Sequence, residues 1–259
     1  MRNTTGSSRP HGGVGTRRPL LALAGILALV AAGCGSSNRA AAPTATPVKA
    51  APARATTARA GESIVATALA GSVGVYRSPG ARTPFLRLAN PIPSGAPLVF
   101  LVRARRAGWE QVYLPVRPDG ATGWVNDRDV SLAYNPYSLE VSLRRHELVL
   151  RKRAQVLARI PAAVGRSVLP TPTGRYFIVE LLKQPDPTGP YGPYAFGLSA
   201  FSKVLYSFGG GPGQIGIHGT NEPASIGRNQ SHGCIRISNG AIARLAAELP
   251  LGTPVSIGN

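Results

Sequence analysis

Apart from an apolar stretch near the N-terminus, one segment of this chain, residues 239–249, carries a clear helical pattern; most other apolar residues fall in short runs broken by turn residues. In that segment Ile242, Leu245, Ala246 and Leu249 share one face, Ser238 or Asn239 can cap it, and Pro250 stops it. Elsewhere Pro97 to Val102 and Trp109 to Val116 are short apolar runs, and the turn Arg117-Pro118-Asp119-Gly120 follows the second. Further strands are expected at 138–143 and 148–153, joined through Arg144-Arg145-His146-Glu147, and at 174–182 and 203–207. His146 is thereby expected on a surface turn. Such a chain is predicted to be mainly β: a small β-barrel-like N-terminal domain, then a β-rich domain with one clear C-terminal helix.

Four segments follow from composition. Residues 1–34 read as an export leader: a basic stretch ending in Arg17-Arg18, then the thirteen apolar or small residues 20–32, then Gly33-Cys34. That run suits a signal peptide and falls short of the roughly 20 residues a membrane-crossing helix needs. Ala31-Ala32-Gly33-Cys34 resembles a lipobox, which would make Cys34 the lipidated first residue of the mature chain. Thr16 to Leu21 resembles a twin-arginine signal, so two export routes stay open. Residues 35–61 are mostly Ala, Thr, Pro, Ser and Arg, a composition suited to a tether. Residues 62–134 and 135–259 are the two expected β domains.

The chemistry sits near the C-terminus. His218-Gly219-Thr220 closes the apolar run 215–217, and twelve residues separate His218 from Ser231-His232-Gly233-Cys234-Ile235-Arg236. A thiol becomes a working nucleophile when a base or positive charge draws off its proton, and imidazole is the usual agent. On a strand, His232 and Cys234 would project to one face. Gly233 would leave the backbone open to a carbonyl, and His218 would arrive from a separate strand. With Cys34 taken by lipid, Cys234 has no partner for an intramolecular disulfide. No Asp follows Asp186, and the carboxylates beyond it are Glu222 and Glu248, so a backbone carbonyl is expected to orient the imidazole. Arg228 and Arg236 flank the thiol and would favour thiolate.

These segments, with Thr171 to Ile178, Gly192 to Leu198 and Gly252 to Ile257, resemble the L,D-transpeptidases with a YkuD-type catalytic domain over about 137–257. The resemblance implies acyl transfer on peptidoglycan stem peptides through a Cys234 thioester, with release of D-alanine. It implies His218 as first choice of base, with His232 the runner-up, and an oxyanion pocket of N–H groups around Gly233 and Cys234. Ser231 would hydrogen-bond a histidine or the substrate, Arg236 would pair with a substrate carboxylate, and Thr220 would line the cleft. In the Pro- and Gly-rich stretch 185–197, Tyr191, Tyr194 and Phe196 would wall the cleft, Tyr194 among the substrate-binding residues. No cofactor and no metal is required. Separately, Gly108-Trp109 through Thr122-Gly123-Trp124-Val125 resembles bacterial Src-homology-3-like wall-targeting domains, where the tryptophans serve either as core or as sugar platforms.

Other readings of the same residues stand beside this one. Cys234 as a small buried hydrophobe leaves the clustering of Ser231, Gly233 and Arg236 unexplained. A zinc site of His218, His232 and Cys234 would have the three ligands a catalytic zinc can manage with, but no fourth for a closed site and no HExxH-like helix. A papain-like hydrolase needs its cysteine before its histidine, the reverse of the order here. Hydrolysis of the thioester by water, as in a carboxypeptidase, and a non-catalytic wall-binding lipoprotein are both compatible with the sequence. Net charge is +18; removal of the first 33 residues, with four Arg and no acid, leaves +14. That favours anionic surroundings: carboxylate-bearing wall peptides, teichoic-type polymers or the membrane head groups to which a lipid anchor would tie the chain. Nucleic acid is excluded by the export leader and the lack of a nucleic-acid motif. The expected location is the outer face of the cytoplasmic membrane, facing the wall.

Overall fold

The computed structural model describes residues 44–45, 59–208 and 210–259. The leader, Cys34 and most of the expected tether lie outside the described residues. Within the stretch expected to be a tether, Thr44–Ala45 pairs antiparallel with Leu182 and Lys183.

The first β unit is a five-stranded sheet in the order Thr122–Asn126, Trp109–Tyr113, Val99–Arg106, Ser63–Ala68 and Val130–Asn135. A two-stranded ribbon, Ser72–Val75 with Leu86–Ala89, completes it. Trp124 is buried, whereas Trp109 is half-buried and meets Tyr76 edge-on at 5.1 Å. Alternation along its central strands buries both faces of the sheet. Ala66, Leu98 and Phe100 join Val73, Val112 and Val125 in a local core. Val65, Val99 and Leu101 point the other way, into the core of the C-terminal sheet.

That second sheet runs Gln155–Pro161, Glu147–Lys152, Tyr137–Ser142, Pro254–Gly258, Gly174–Lys183, Tyr194–Phe201, Gln214–His218, Ile235–Arg236. The chain passes from one sheet to the other at Pro136. The last strand lies parallel to Gln214–His218, with Ile217 opposite Ile235 and His218 opposite Arg236. The helix Asn239–Glu248 is capped by the Ser238 hydroxyl, which accepts from the Ala241 N–H, and buries Ile242 and Leu245. His146 holds positive φ at 51° on the turn expected of it, and its Nε2 lies 2.7 Å from Asn229 Oδ1.

One expected strand is absent. Residues 203–207 form no ladder; they belong to a hairpin whose arms are 202–208 and 210–213. Ser202 N–H donates to Gly213 O at its base, and Phe208 and Gly211 exchange backbone bonds of 3.0 Å farther out. The apolar pattern there leaves Val204, Tyr206 and Phe208 exposed rather than in a core.

Candidate active site

Cys234 stands where the chain enters the edge strand Ile235–Arg236, beside the neighbouring strand's Gly216, whose N–H points at Sγ from 3.4 Å. The residues before it form a bend, not the strand expected from the sequence, because Gly233 turns the backbone at φ +117°. A side chain there would be strained, and a Cβ would also crowd Ile215. The bend separates His232 from Cys234: the His232 ring stacks on Phe208 at 5.4 Å.

Two hydroxyls build the bend. Buried Ser231 donates from Oγ to Cys234 O at 2.6 Å and accepts the Gly233 N–H at 3.0 Å. Ser231 therefore bonds the backbone of Cys234, not a histidine. Thr171, also buried, donates from Oγ1 to Gly233 O at 2.8 Å and accepts the Gly165 N–H at 2.8 Å. Its motif was visible in sequence, but this role was not, since 62 positions separate Thr171 from Gly233. With the Gly233 N–H taken by Ser231, the expected pair of oxyanion donors is reduced. Among the described residues, no protein acceptor meets the Cys234 N–H.

His218 ends its strand, 4% exposed, with Nδ1 2.6 Å from Gly219 O. A carbonyl only accepts, so the proton sits on Nδ1 and Nε2 is left as an acceptor. The orienting group is thus the backbone carbonyl that the lack of nearby Asp called for. The corner is held from outside. Asn239 Oδ1 accepts the Thr220 N–H at 2.8 Å, and Gly219 and Gly192 pack backbone to backbone, so that a Cβ on Gly192 would stand 2.7 Å from Gly219 Cα. Gly192 itself holds φ +62°.

This contact brings the loop preceding Tyr194–Phe201 over the imidazole. Tyr191 meets His218 edge-on at 4.8 Å. Tyr194 packs against the core while its carbonyl accepts the Gly219 N–H, and Phe196 is fully buried. The loop's aromatic at the site is therefore Tyr191; residue type could not single it out, because the choice depends on where the strand begins. Thr220 is buried, and its hydroxyl accepts the Glu222 N–H at 2.9 Å, which makes it a turn-former rather than a cleft wall. Arg236 is paired with Glu222 at 2.6 Å, so its charge is already met by a carboxylate.

Burial raises the Cys234 thiol above its ordinary 9.0, outweighing the Gly216 N–H and the Arg236 charge, which both lower it. Arg236 does favour the thiolate as expected, but desolvation outweighs it. Burial likewise lowers His218 to about 4, against the Gly219 carbonyl, which raises it. The Tyr191 hydroxyl is raised by burial, then by the nearness of Cys234. The resting site thus holds a neutral thiol and a neutral imidazole. Among the described residues no three His, Cys, Asp or Glu gather as a metal-holding set.

A β-sheet that sets a thiol at the entry to its edge strand and a carbonyl-held imidazole at the end of the parallel strand beside it defines a class. Residues 136–257 match the family YkuD, the L,D-transpeptidase catalytic domain. YqjB of Bacillus subtilis is 31% identical over 134 residues, 48% of this chain and 71% of that protein. YkuD of Bacillus licheniformis is 43% identical over 122 residues, 47% of this chain and 66% of that protein. The names of both assign them, provisionally, as L,D-transpeptidases. An L,D-transpeptidase structure from Mycobacterium tuberculosis aligns over 72% of this chain and 93% of its own at 16% identity, with a TM-score of 0.43, too low to add weight. The chain belongs to the L,D-transpeptidase family. It spans just under two thirds of the Bacillus licheniformis relative.

Proposed function

We propose that this protein is an exported, wall-facing enzyme that cross-links peptidoglycan stem peptides through a Cys234 thioester. The observation that carries the reading is the placement of the pair: a buried imidazole held through Nδ1 by Gly219 O, which leaves Nε2 to accept, on the strand whose Gly216 N–H meets the Cys234 sulfur. A neutral pair avoids the cost of two buried charges at rest, so the proton moves only when a substrate carbonyl is in place.

In the first half, Sγ attacks the carbonyl joining the diamino acid of a tetrapeptide stem to its terminal D-alanine, while His218 Nε2 takes the thiol proton. The Cys234 N–H faces the developing oxyanion; one such donor contributes about 3 kcal/mol in comparable sites. Collapse breaks the C–N bond, His218 returns the proton to the leaving amine, and D-alanine departs. In the second half, the side-chain amine of another stem attacks the thioester and gives its proton to His218. The C–S bond breaks, and the proton restores the thiol. The product is a 3→3 cross-link.

The test is mass spectrometry of tetrapeptide-stem muropeptides incubated with the soluble chain lacking its first 34 residues, beside Cys234→Ala. A dimer lighter by one D-alanine, absent with the variant, is expected. D-alanine release without dimer would make the enzyme a carboxypeptidase, and no turnover would leave a wall-binding lipoprotein. The lipid anchor on Cys34 is part of the same proposal, supported by Ala31-Ala32-Gly33-Cys34. The intact mass of the membrane-extracted chain, compared with Cys34→Ser, tests it.

A further inference from the structure

The hairpin formed by 202–208 and 210–213 has little to hold it in place from within. Val204, Tyr206 and Phe208 are 50%, 71% and 44% exposed, and a hairpin without a buried face is marginal by itself. Inside it, Ser202 Oγ accepts the Val204 and Leu205 N–H groups at 3.2 and 2.9 Å; from outside, it is held by the turn Arg117-Pro118-Asp119-Gly120 of the first β unit. The Arg117 guanidinium donates to Ser202 O at 2.8 Å, Leu205 O at 3.2 Å and Pro212 O at 3.0 Å. One side chain thus ties both arms together. The same group lies over the Phe201 ring at 5.0 Å and the Tyr206 ring at 4.7 Å. Two positions on, Asp119 accepts the Phe201 N–H at 2.9 Å and the Tyr176 hydroxyl at 3.3 Å, fixing the strand end from which the hairpin springs. Beyond the clamp, Phe208 stacks on His232, two residues from the nucleophile.

We propose that Arg117 is a positioning residue for the active site: it holds the hairpin so that Phe208 packs on His232 and fixes one wall of the cleft beside Cys234. The first β unit is then part of the catalytic architecture. A planar fork suits this task and a lysine does not, because three carbonyls in different directions need several donors fixed in one plane. The proposal rests on the transpeptidase reading only for what the cleft binds; the clamp can be tested without substrate.

Hydrogen exchange and histidine NMR on the full chain decide it, with Arg117→Ala, Arg117→Lys and Phe208→Ala beside the parent. Arg117→Ala should raise amide exchange of a peptide covering 203–208 about tenfold and leave the strand Val99–Arg106 within about twofold. The His232 ring proton, identified through His232→Gln, should lose its ring-current displacement equally in Arg117→Ala and Phe208→Ala. If Arg117→Ala is unfolded, Arg117→Lys should show the same local pattern more weakly. Exchange at 203–208 that stays put in a folded variant, or that rises equally throughout the chain, would overturn the proposal, as would an unmoved His232 signal in the folded arginine variants. Where the parent turns over stem peptides, the two alanine changes should raise KM rather than lower kcat, and combining them should add nothing further; additive effects would also overturn it. A parent with no turnover refutes the transpeptidase reading and leaves the exchange result to decide the clamp.

Discussion

His218 is the first choice of base and His232 the runner-up, and the bend at Gly233 gives the two rings different surroundings. His218→Gln should lower kcat about 10²- to 10⁴-fold with little change in KM, as loss of a general base does. His232→Gln should cost less than about tenfold, mainly in KM, because its ring contacts Phe208. Steady-state kinetics on defined stem peptides separate the two. Burial also sets the pH behaviour of the thiol. Since the Cys234 pKa is raised above 9.0, its alkylation by iodoacetamide should still be climbing at pH 9, without a neutral-pH plateau. A plateau below pH 7 would contradict the neutral resting pair. The chemical types at this site were legible in sequence. The roles of Ser231, Thr220 and Tyr191 were not, since each follows from a partner chosen by the fold.

At the scale of elements, the site is a bend hung between the parallel pair 164–165 with 229–231 and the edge strand 235–236. Thr171 bridges them by joining Gly165 N–H to Gly233 O. Thr171→Val keeps the shape and removes both bonds, taking the partner from the buried Gly233 carbonyl and the half-buried Gly165 N–H. It should destabilise the protein by about 1–3 kcal/mol and reduce turnover, whereas Thr171→Ser should recover most of both; thermal melts alongside kinetics check this. The helix and most strands were readable because their apolar spacing survives in the fold. The expected strand at 203–207 failed because its apolar residues face solvent or neighbouring rings, so its alternation does not report a buried sheet face.

Taken whole, the molecule shares one core between its two sheets: Val65, Val99 and Leu101 join Leu139, Phe177 and Ile217. Asn135 donates to Thr253 Oγ1 at 2.9 Å in a buried bond across the same boundary, and Glu62 meets Arg153 at 2.7 Å. His218 couples this stability to pH. Its folded pKa of about 4 lies below the ordinary 6.5, so the unfolded chain takes up the proton first. The resulting stability is fully present above 6.5 and is lost as pH falls toward 4. The melting temperature should drop across that window, and His218→Gln should flatten the drop; an unchanged slope in the variant would assign it to other groups.

The sequence by itself determined the β class, the C-terminal helix and the kinds of group at the site, because these depend on local spacing and residue chemistry. Only the tertiary structure decided that burial raises the Cys234 thiol and that His218 is held by Gly219 O. It also decided that Tyr191 covers the imidazole and that a turn of the first β unit clamps a hairpin beside the cleft. Those outcomes depend on desolvation and on contacts between residues far apart in the chain, and neither quantity is written in any local window of sequence.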